Sequence, residues 1–382
     1  MKQLGIYIHI PFCKSKCSYC DFISFPNMKE KENDYINCLI KEIESQNWEE
    51  LNKNYKVTTI YIGGGTPSFI DEKNIVKVIE KIKNSIKVSE NKAEITIEVN
   101  PGTVTKEKLK TYKEAGVNRL SIGLQSANNK LLKQIGRIHT FEQFLETYNL
   151  AQDVGFKNIN IDLMLGLPNQ TIEDLKNSLE EVIKLEPNHI SVYSLILEEG
   201  TPLTNLVEKG EIKLPSEELE RQMYWYVKNK LELVGYNHYE ISNFAKPGKE
   251  SKHNLNCWNQ EEYLGFGLAA HSYFENKRFS NTDNIEKYID YFCNNKKEEI
   301  KQTHEVQTIE DKQKEYMLLG LRKINGVSIS KFKEKYVENP IYLFKNQLSK
   351  LSEQGLIEID LDNIKLTQKG LDLANIVWEE FI

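Results

Sequence analysis

The chain has no surplus of charge of one sign. Fifty basic residues stand against 56 acidic ones, a net charge of -6. That balance excludes a protein built to coat nucleic acid or an anionic membrane surface. Long apolar runs are missing as well, and none approaches the ~20 residues that cross a bilayer. Met1-Lys2-Gln3 leads straight into a strand-like stretch, too short and too polar for the core of a signal peptide. The expected compartment is therefore the cytosol. Cysteine is scarce, six in 382 residues, which excludes a disulfide scaffold. In a reducing compartment, clustered cysteines bind metal or do chemistry. Low-complexity linkers and repeats below the βα level are also lacking. What remains is 40% hydrophobic and 28% charged, a globular chain with length for two or three domains at ~150 residues each.

The first two hundred residues alternate between two patterns. Short β-branched runs read as strands: Leu4 to Ile10, Val57 to Ile62, Ala93 to Val99, Arg119 to Leu124, Asn158 to Leu163 and His189 to Leu197. Stretches of helical spacing separate them, such as Tyr35, Leu39 and Ile43, or Ile75, Val78, Ile79 and Ile82. Six strand–helix units imply a parallel sheet with right-handed crossovers, either open and doubly wound or an incomplete barrel. The eight units of a full barrel are not visible.

Within these strands Ile95, Ile97 and Val99 alternate with Thr96 and Glu98, and Ile159, Ile161 and Leu163 with Asn160 and Asp162. Leu120, Ile122 and Leu124 likewise alternate with Ser121, Gly123 and Gln125. One face is apolar and suits helix packing. The other carries Glu98, Gln125 and Asp162 near the carboxyl ends of three strands. Parallel strands buried on both faces are almost continuously apolar, so these residues point to a wet, ligand-binding interior. A self-satisfied polar network is the alternative.

From about Gly235 to Tyr273 the pattern is irregular and aromatic, and helical spacing returns beyond Glu305. The tail reads as helix (Ile341 to Gln354), strand (Leu356 to Ile359), a turn at Asp362-Asn363, strand (Ile364 to Thr367) and helix (Leu371 to Phe381), a small winged-helix-like module. From Pro340 onward it has seven acidic and four basic residues, a poor balance for gripping phosphates, so it is expected to pack or cover and not to bind nucleic acid. The expected divisions are residues 1–235, 236–304 and 305–382.

The strongest local signal is Cys13-Lys14-Ser15-Lys16-Cys17-Ser18-Tyr19-Cys20, a C-x3-C-x2-C run after the first strand. A closed zinc site and a four-iron cluster both ordinarily use four protein ligands. Three thiolates leave one metal position open, which is the mark of a site that binds substrate. A zinc site completed by His9 or Cys257 is the alternative.

This spacing, with the βα repeat, resembles the radical S-adenosylmethionine superfamily. The resemblance implies a 4Fe-4S cluster on Cys13, Cys17 and Cys20 whose unique iron binds S-adenosylmethionine. It further implies one-electron cleavage to a 5'-deoxyadenosyl radical. Gly63-Gly64-Gly65-Thr66-Pro67 after the second strand fits a segment that superfamily members use for the methionine amino group. Within the superfamily the chain looks like the coproporphyrinogen-dehydrogenase-like branch. By that likeness Tyr7 and Tyr19 flank the cluster, and Gly64, Gly65 and Thr66 contact the methionine part. Glu98, Gln125, Arg137 and Asp162 complete the cofactor site. Carboxylates suit ribose hydroxyls and an ammonium, and Arg137 suits a carboxylate.

The oxidases of that branch have a fourth cysteine in a C-x3-C-x2-C-x-C run and a longer N-terminal extension. Here Cys20-Asp21-Phe22 lacks the cysteine, and only six residues precede Tyr7. Both departures favour the shorter HemW-type heme chaperones over oxygen-independent coproporphyrinogen III oxidase, the alternative, which acts in porphyrin biosynthesis by radical oxidative decarboxylation. The resemblance implies heme or porphyrin as ligand, a heme-acceptor protein and an electron-donor protein as partners, and membrane contact only through an acceptor. The chaperones carry H-N-x-x-Y-W, which here reads His253-Asn254-Leu255-Asn256-Cys257-Trp258. His253 is a candidate axial ligand to heme iron, and Cys257, in the tyrosine's place, is expected to be a small buried residue. Cys38 and Cys293 are expected to be packing residues. Gly265-Phe266-Gly267-Leu268-Ala269-Ala270-His271-Ser272 matches the branch beside its active site, with small residues that could admit a planar ligand.

Overall fold

The computed structural model describes residues 1–89, 92–294 and 300–382. The six expected strands form as β1 (Lys2–Ile10), β2 (Tyr55–Gly64), β3 (Glu94–Val99), β4 (Arg119–Gln125), β5 (Ile159–Leu165) and β6 (His189–Ser194). After each comes a helix: α1 (Glu32–Glu44), α2 (Glu72–Ser85), α3 (Lys106–Glu114), α4 (Phe141–Val154), α5 (Ile172–Lys184) and α6 (Glu217–Leu233). Local chemistry fixes several helix ends. Thr140 and Gln143 form a capping box that starts α4, and Thr171 and Asp174 do the same for α5. Gly155, at φ +88°, ends α4 in the left-handed region that glycine adopts freely.

The six strands lie side by side in chain order, all parallel. A doubly wound sheet reverses its strand order at a switch point; this one does not. Right-handed crossovers then put every helix on one face, which gives the partial barrel, TIM-like in its six βα units. Ile60, Ile97, Leu120, Ile122, Ile161 and Ile190 are fully buried on the helix side. Burying each such side chain contributes ~1.5–3 kcal/mol.

The stretch that reads as irregular is regular in the structure. It contains β7 (Asn237–Glu240), β8 (Asn243–Ala245), α7 (Lys252–Trp258), β9 (Tyr263–Phe266), β10 (His271–Phe274), β11 (Lys277–Asn281) and α8 (Ile285–Asn294), followed by β12 (Lys301–Val306). These strands extend both edges of the barrel sheet to twelve strands, in the order β12-β11-β10-β9-β1-β2-β3-β4-β5-β6-β8-β7. Five of these six strands have three to five residues, too short for a period to declare itself, and pairing with β1 and β6 holds the two edges in place.

Cys38 and Cys293 are bonded to each other in the structure, not merely packed. They lie 255 residues apart, and only the docking of α1 against α8 brings them together, so no local pattern could reveal the pair. In the same layer the buried Glu42 carboxylate accepts from Gly267 N (2.8 Å), Asn281 Nδ2 (2.7 Å) and the Tyr288 hydroxyl (2.6 Å). The Tyr35 hydroxyl donates to His9 O at 2.7 Å and accepts from Leu268 N at 2.9 Å. These bonds anchor the loop between β9 and β10 to α1 and β1.

The C-terminal elements follow the expected order closely. A helix at Ile309–Gly320 is followed by strand β13 (Val327–Ser328), a helix at Ile329–Tyr336, a helix at Lys345–Glu353, and strands β14 (Ile357–Ile359) and β15 (Asn363–Leu366). The strands pair in the order β13-β15-β14 over a separate core that includes Met317, Phe332, Leu351, Ile364 and Val377. This is the winged-helix-like module. Its long expected helix is broken at Phe344, the C-cap of Pro340–Leu343 and the N-cap of Lys345–Glu353.

Candidate functional site

A cavity of about 380 Å³ opens at the carboxyl ends of β2 to β6. Cys13, Cys17, Cys20, Tyr19, Gly64, Gly65, Thr66, Glu98, Gln125, Arg137 and Asp162 all line it. These are eleven of the thirteen residues expected from the sequence. The exceptions are Tyr7 and His253.

The cysteine loop leaves β1 and is held over the cavity. Phe25 N donates to Pro11 O at 2.8 Å, and Ser18 N to Ile135 O at 3.1 Å. Thr66 Oγ1 donates toward Cys13 Sγ at 3.5 Å, and Arg137 Nη1 toward Cys17 Sγ at 3.7 Å. Burial pushes the Cys13 thiol up, and the Cys20 thiol to about 11. Donors are thus already aimed at two of the three sulfurs, those of Cys13 and Cys17. That donor set fits an iron–sulfur cluster, whose sulfurs accept hydrogen bonds. Among the described residues no three His, Cys, Asp or Glu side chains converge on the position of a single metal ion. His9, the candidate fourth zinc ligand, has Nε2 at 2.8 Å from Ile23 O and Nδ1 at 3.0 Å from the Tyr7 hydroxyl.

The glycines are sterically required. Gly64 has φ +111°, and a Cβ there would sit 2.6 Å from the His9 ring. A Cβ on Gly65 would lie 2.8 Å from Phe12 O and 3.0 Å from Cys13 Sγ. Bare backbone is what lets this turn run beside the cysteine loop.

The polar groups of the wall are pre-positioned. Glu98 accepts from the Tyr61 hydroxyl at 2.9 Å and from Gly64 N at 3.1 Å. Burial, aided by the nearby Asp162 charge, raises its pKa to about 7 despite those two bonds. Asp162 accepts from Asn160 Nδ2 at 2.6 Å, and burial raises its pKa also. Arg137 Nη2 donates to Gly123 O at 2.7 Å and to Asn100 Oδ1 at 3.0 Å. Gln125 sits at φ +71°, where the register between β4 and β5 shifts, and accepts from the Tyr193 hydroxyl at 3.0 Å. A non-glycine residue in that region is strained, and such strain clusters where side chains are aimed at ligands. Arg119 is 2% exposed, lines the cavity, and keeps a buried Nε without a hydrogen-bond partner. An orphaned guanidinium atom beside two carboxylates fits a cavity meant to hold a polar ligand, not a self-satisfied network.

Tyr7 and His253 stand beside the cavity without lining it, both against Tyr61. The Tyr7 ring stacks on Tyr61 at 6.4 Å. The His253 ring also stacks on Tyr61, at 5.2 Å and 29°, and its Nδ1 is 2.9 Å from Thr59 Oγ1. At 8% exposure, His253 is a buried brace beneath the site, and burial lowers its pKa to about 4. Its neighbour Asn254 lines the cavity instead. Cys257 is half-buried, its thiol raised to about 11 by burial. Trp258 lies against the Arg322 guanidinium at 4.5 Å, and Trp378 of the C-terminal module covers Arg322 at 4.7 Å.

Tyr61, Arg119, Ser121, Asn160, Ser191 and Tyr193 also line the cavity and lie outside the set expected from the sequence. For three of them a signal exists: Arg119 and Ser121 share strand and parity with Gln125, and Asn160 with Asp162.

Comparison with known proteins agrees with this geometry. A model of the Radical SAM superfamily matches residues 7–182, and one of the HemN C-terminal domain matches residues 308–373. The solved coproporphyrinogen III oxidase (HemN) from Escherichia coli superposes with a TM-score of 0.85 over 100% of this chain and 90% of its own, at 24% identity, a likeness of fold. The cysteine loop, half-barrel and C-terminal module are those of a radical SAM protein. Heme chaperone HemW of Bacillus subtilis is 42% identical over 376 residues, 98% of either chain, and that of Lactococcus lactis is 39% identical over 381 residues, 100% of this chain and 98% of its own. The chain belongs to the HemW heme chaperone family.

Proposed function

We propose that this protein binds heme and passes it to an acceptor protein in the cytosol. In this reading Cys13, Cys17 and Cys20 hold a 4Fe-4S cluster, and S-adenosylmethionine occupies the cavity beside it. The single observation that carries the cofactor part is the convergence of the cysteine loop with Glu98, Gln125, Arg137 and Asp162 on one cavity at the strand ends. Family membership supports the heme part.

Each wall residue has a definite task in this reading. Ionised Glu98 takes the ammonium of the methionine moiety, with Gly64 and Gly65 giving the backbone room to approach. Arg137 faces the methionine carboxylate and also touches Cys17, which ties cofactor binding to the cluster loop. Asp162 and Gln125 face the ribose hydroxyls. When bound and reduced, the cluster supplies the electron that cleaves the sulfonium. Among the described residues no helix is long and apolar enough to cross a membrane, and membrane contact is assigned to the acceptor. An electron-donor protein is the second partner.

Anaerobic reconstitution with iron and sulfide tests the reading. The reconstituted protein is then assayed in parallel for heme binding, heme transfer and coproporphyrinogen III turnover. Saturable heme binding without formation of protoporphyrinogen IX is expected. Efficient turnover would replace the chaperone with an oxidase.

A further inference from the structure

The chain has seven histidines, and the structure commits five of them elsewhere. His9, His139, His189, His238 and His253 are at most 8% exposed. Each engages at least one partner: Ile23 O, Leu124 O, Asn160, Ile241 O and Thr59 respectively. An imidazole so held cannot reach a ligand as large as a porphyrin without opening the barrel.

The remaining two, His271 and His304, are exposed and stand together. Their rings stack at 5.4 Å and 18°. Ser280 Oγ lies 2.7 Å from His304 Nε2, and among the described residues Nδ1 of that ring has no hydrogen-bond partner. His271 makes no side-chain hydrogen bond among the described residues, so both of its ring nitrogens are open. Burial, with the charges of His304 and Arg278, lowers the His271 pKa, which favours the neutral imidazole that binds metal.

Their place on the sheet joins them to the cavity. Tyr61, a cavity residue, pairs with Tyr7 across β2 and β1, and Tyr7 pairs with Gly265 across β1 and β9. Tyr263 pairs with Tyr273 in the antiparallel β9–β10 ladder, which sets Gly265 opposite His271. His271 then pairs with Ser280 across β10 and β11. Residues paired across a ladder point to the same face. One row of side chains therefore runs from Tyr61 through Tyr7 and His271 to Ser280, with the glycine as a gap between Tyr7 and His271. A Cβ on Gly265 would come within 2.1 Å of His271 O, so no side chain can fill that gap. At ~4.8 Å between strands the Tyr7 and His271 backbones are ~10 Å apart.

From this placement we propose that His271, backed by His304, is the axial ligand to heme iron, with the porphyrin lying over the Gly265 step beside Tyr7. The inference rests on the heme-binding reading and moves the iron ligand from His253 to the outer strands. It also puts the heme on the same face as the cofactor cavity, next to Tyr7, whose ring stacks on the tyrosine that donates to Glu98.

Hemin titration of the reconstituted full chain, followed in the Soret region, decides the matter. His271→Ala/His304→Ala is expected to lose the imidazole-ligated band and to weaken hemin affinity by roughly ten- to a hundred-fold. Added imidazole is expected to restore the band. His253→Ala is expected to keep the wild-type band. Both outer histidines are exposed, so the double variant should fold, and an unchanged circular-dichroism melt verifies this. A double variant with the wild-type band overturns the proposal, as does loss of the band in His253→Ala alone. A wild-type protein without saturable hemin binding overturns the heme reading itself. A bound heme that ignores both outer histidines overturns only the ligand assignment.

Discussion

The Tyr61 hydroxyl donates to Glu98 Oε1 at 2.9 Å, and the face of the same tyrosine ring carries His253 at 5.2 Å. A carboxylate in the cavity wall is thereby tied to the motif helix beneath the barrel. This link explains how a histidine that does not line the cavity can still matter to it.

Cofactor affinity should follow the charge on Glu98. Its pKa of about 7 in the folded protein lies above its ordinary value, because burial favours the neutral acid. A raised carboxyl pKa makes the unliganded fold lose stability as pH rises from the ordinary carboxyl value to about 7. A cationic ligand prefers the ionised form, so S-adenosylmethionine affinity should rise across that upper limb. Calorimetry between about pH 6 and 8 should show the rise in wild type and a flat, weaker profile in Glu98→Gln. Equal profiles would remove Glu98 from the ammonium site.

Cys13, Cys17 and Cys20 are expected to be individually indispensable for the cluster. Cys17→Ala should fail to take up iron and sulfide, and its circular-dichroism melt should remain cooperative, because the barrel core does not include that residue. Four irons per chain in this variant would exclude the assignment.

Asp162→Ala and Gln125→Ala should each weaken S-adenosylmethionine binding by ~1–3 kcal/mol, the cost of leaving a buried polar partner unsatisfied. Isothermal titration of the reconstituted variants measures it. Unchanged affinity in both would return the strand-end residues to a purely structural network.

The Cys38–Cys293 bond joins α1 to α8 across a closed loop of 255 residues. Under oxidising conditions thiol titration of the denatured, cluster-free protein should find the four cysteines that are free in the structure, and reduction should raise the count to the full six. Cys38→Ser should lower the oxidised protein's stability by ~2–4 kcal/mol and leave the reduced protein little changed. Six reactive thiols without reductant would refute the pairing.

Arg322 lies between Trp258 of α7 and Trp378 of the C-terminal module. Two desolvated cation–π contacts at ~1–2 kcal/mol each predict a loss of ~2–4 kcal/mol in Arg322→Ala. The expected readout is a lower melting temperature with red-shifted tryptophan emission. Unaltered emission would mean that the sandwich does not hold the module.

How much the sequence by itself determined depends on the range of the interaction. Alternation in β3, β4 and β5 is a local property with a period of two, so residue order alone puts Glu98, Gln125 and Asp162 on one face. The C-x3-C-x2-C loop and the glycine run are likewise contiguous, and the six βα units follow from spacing alone. Partners distant in the chain were decided only by the tertiary structure. Cys38 finds Cys293 because α1 docks on α8. His253 packs against Thr59 and Tyr61 because α7 lies against β2. Tyr61, Ser191 and Tyr193 become cavity residues because the curved sheet brings β2 and β6 around one cavity. His271 and His304 meet because β10, β11 and β12 pair as an edge extension, which brings together residues 33 positions apart in the chain. A one-dimensional pattern records which face a side chain takes, but which other face it meets is set by packing across the sheet.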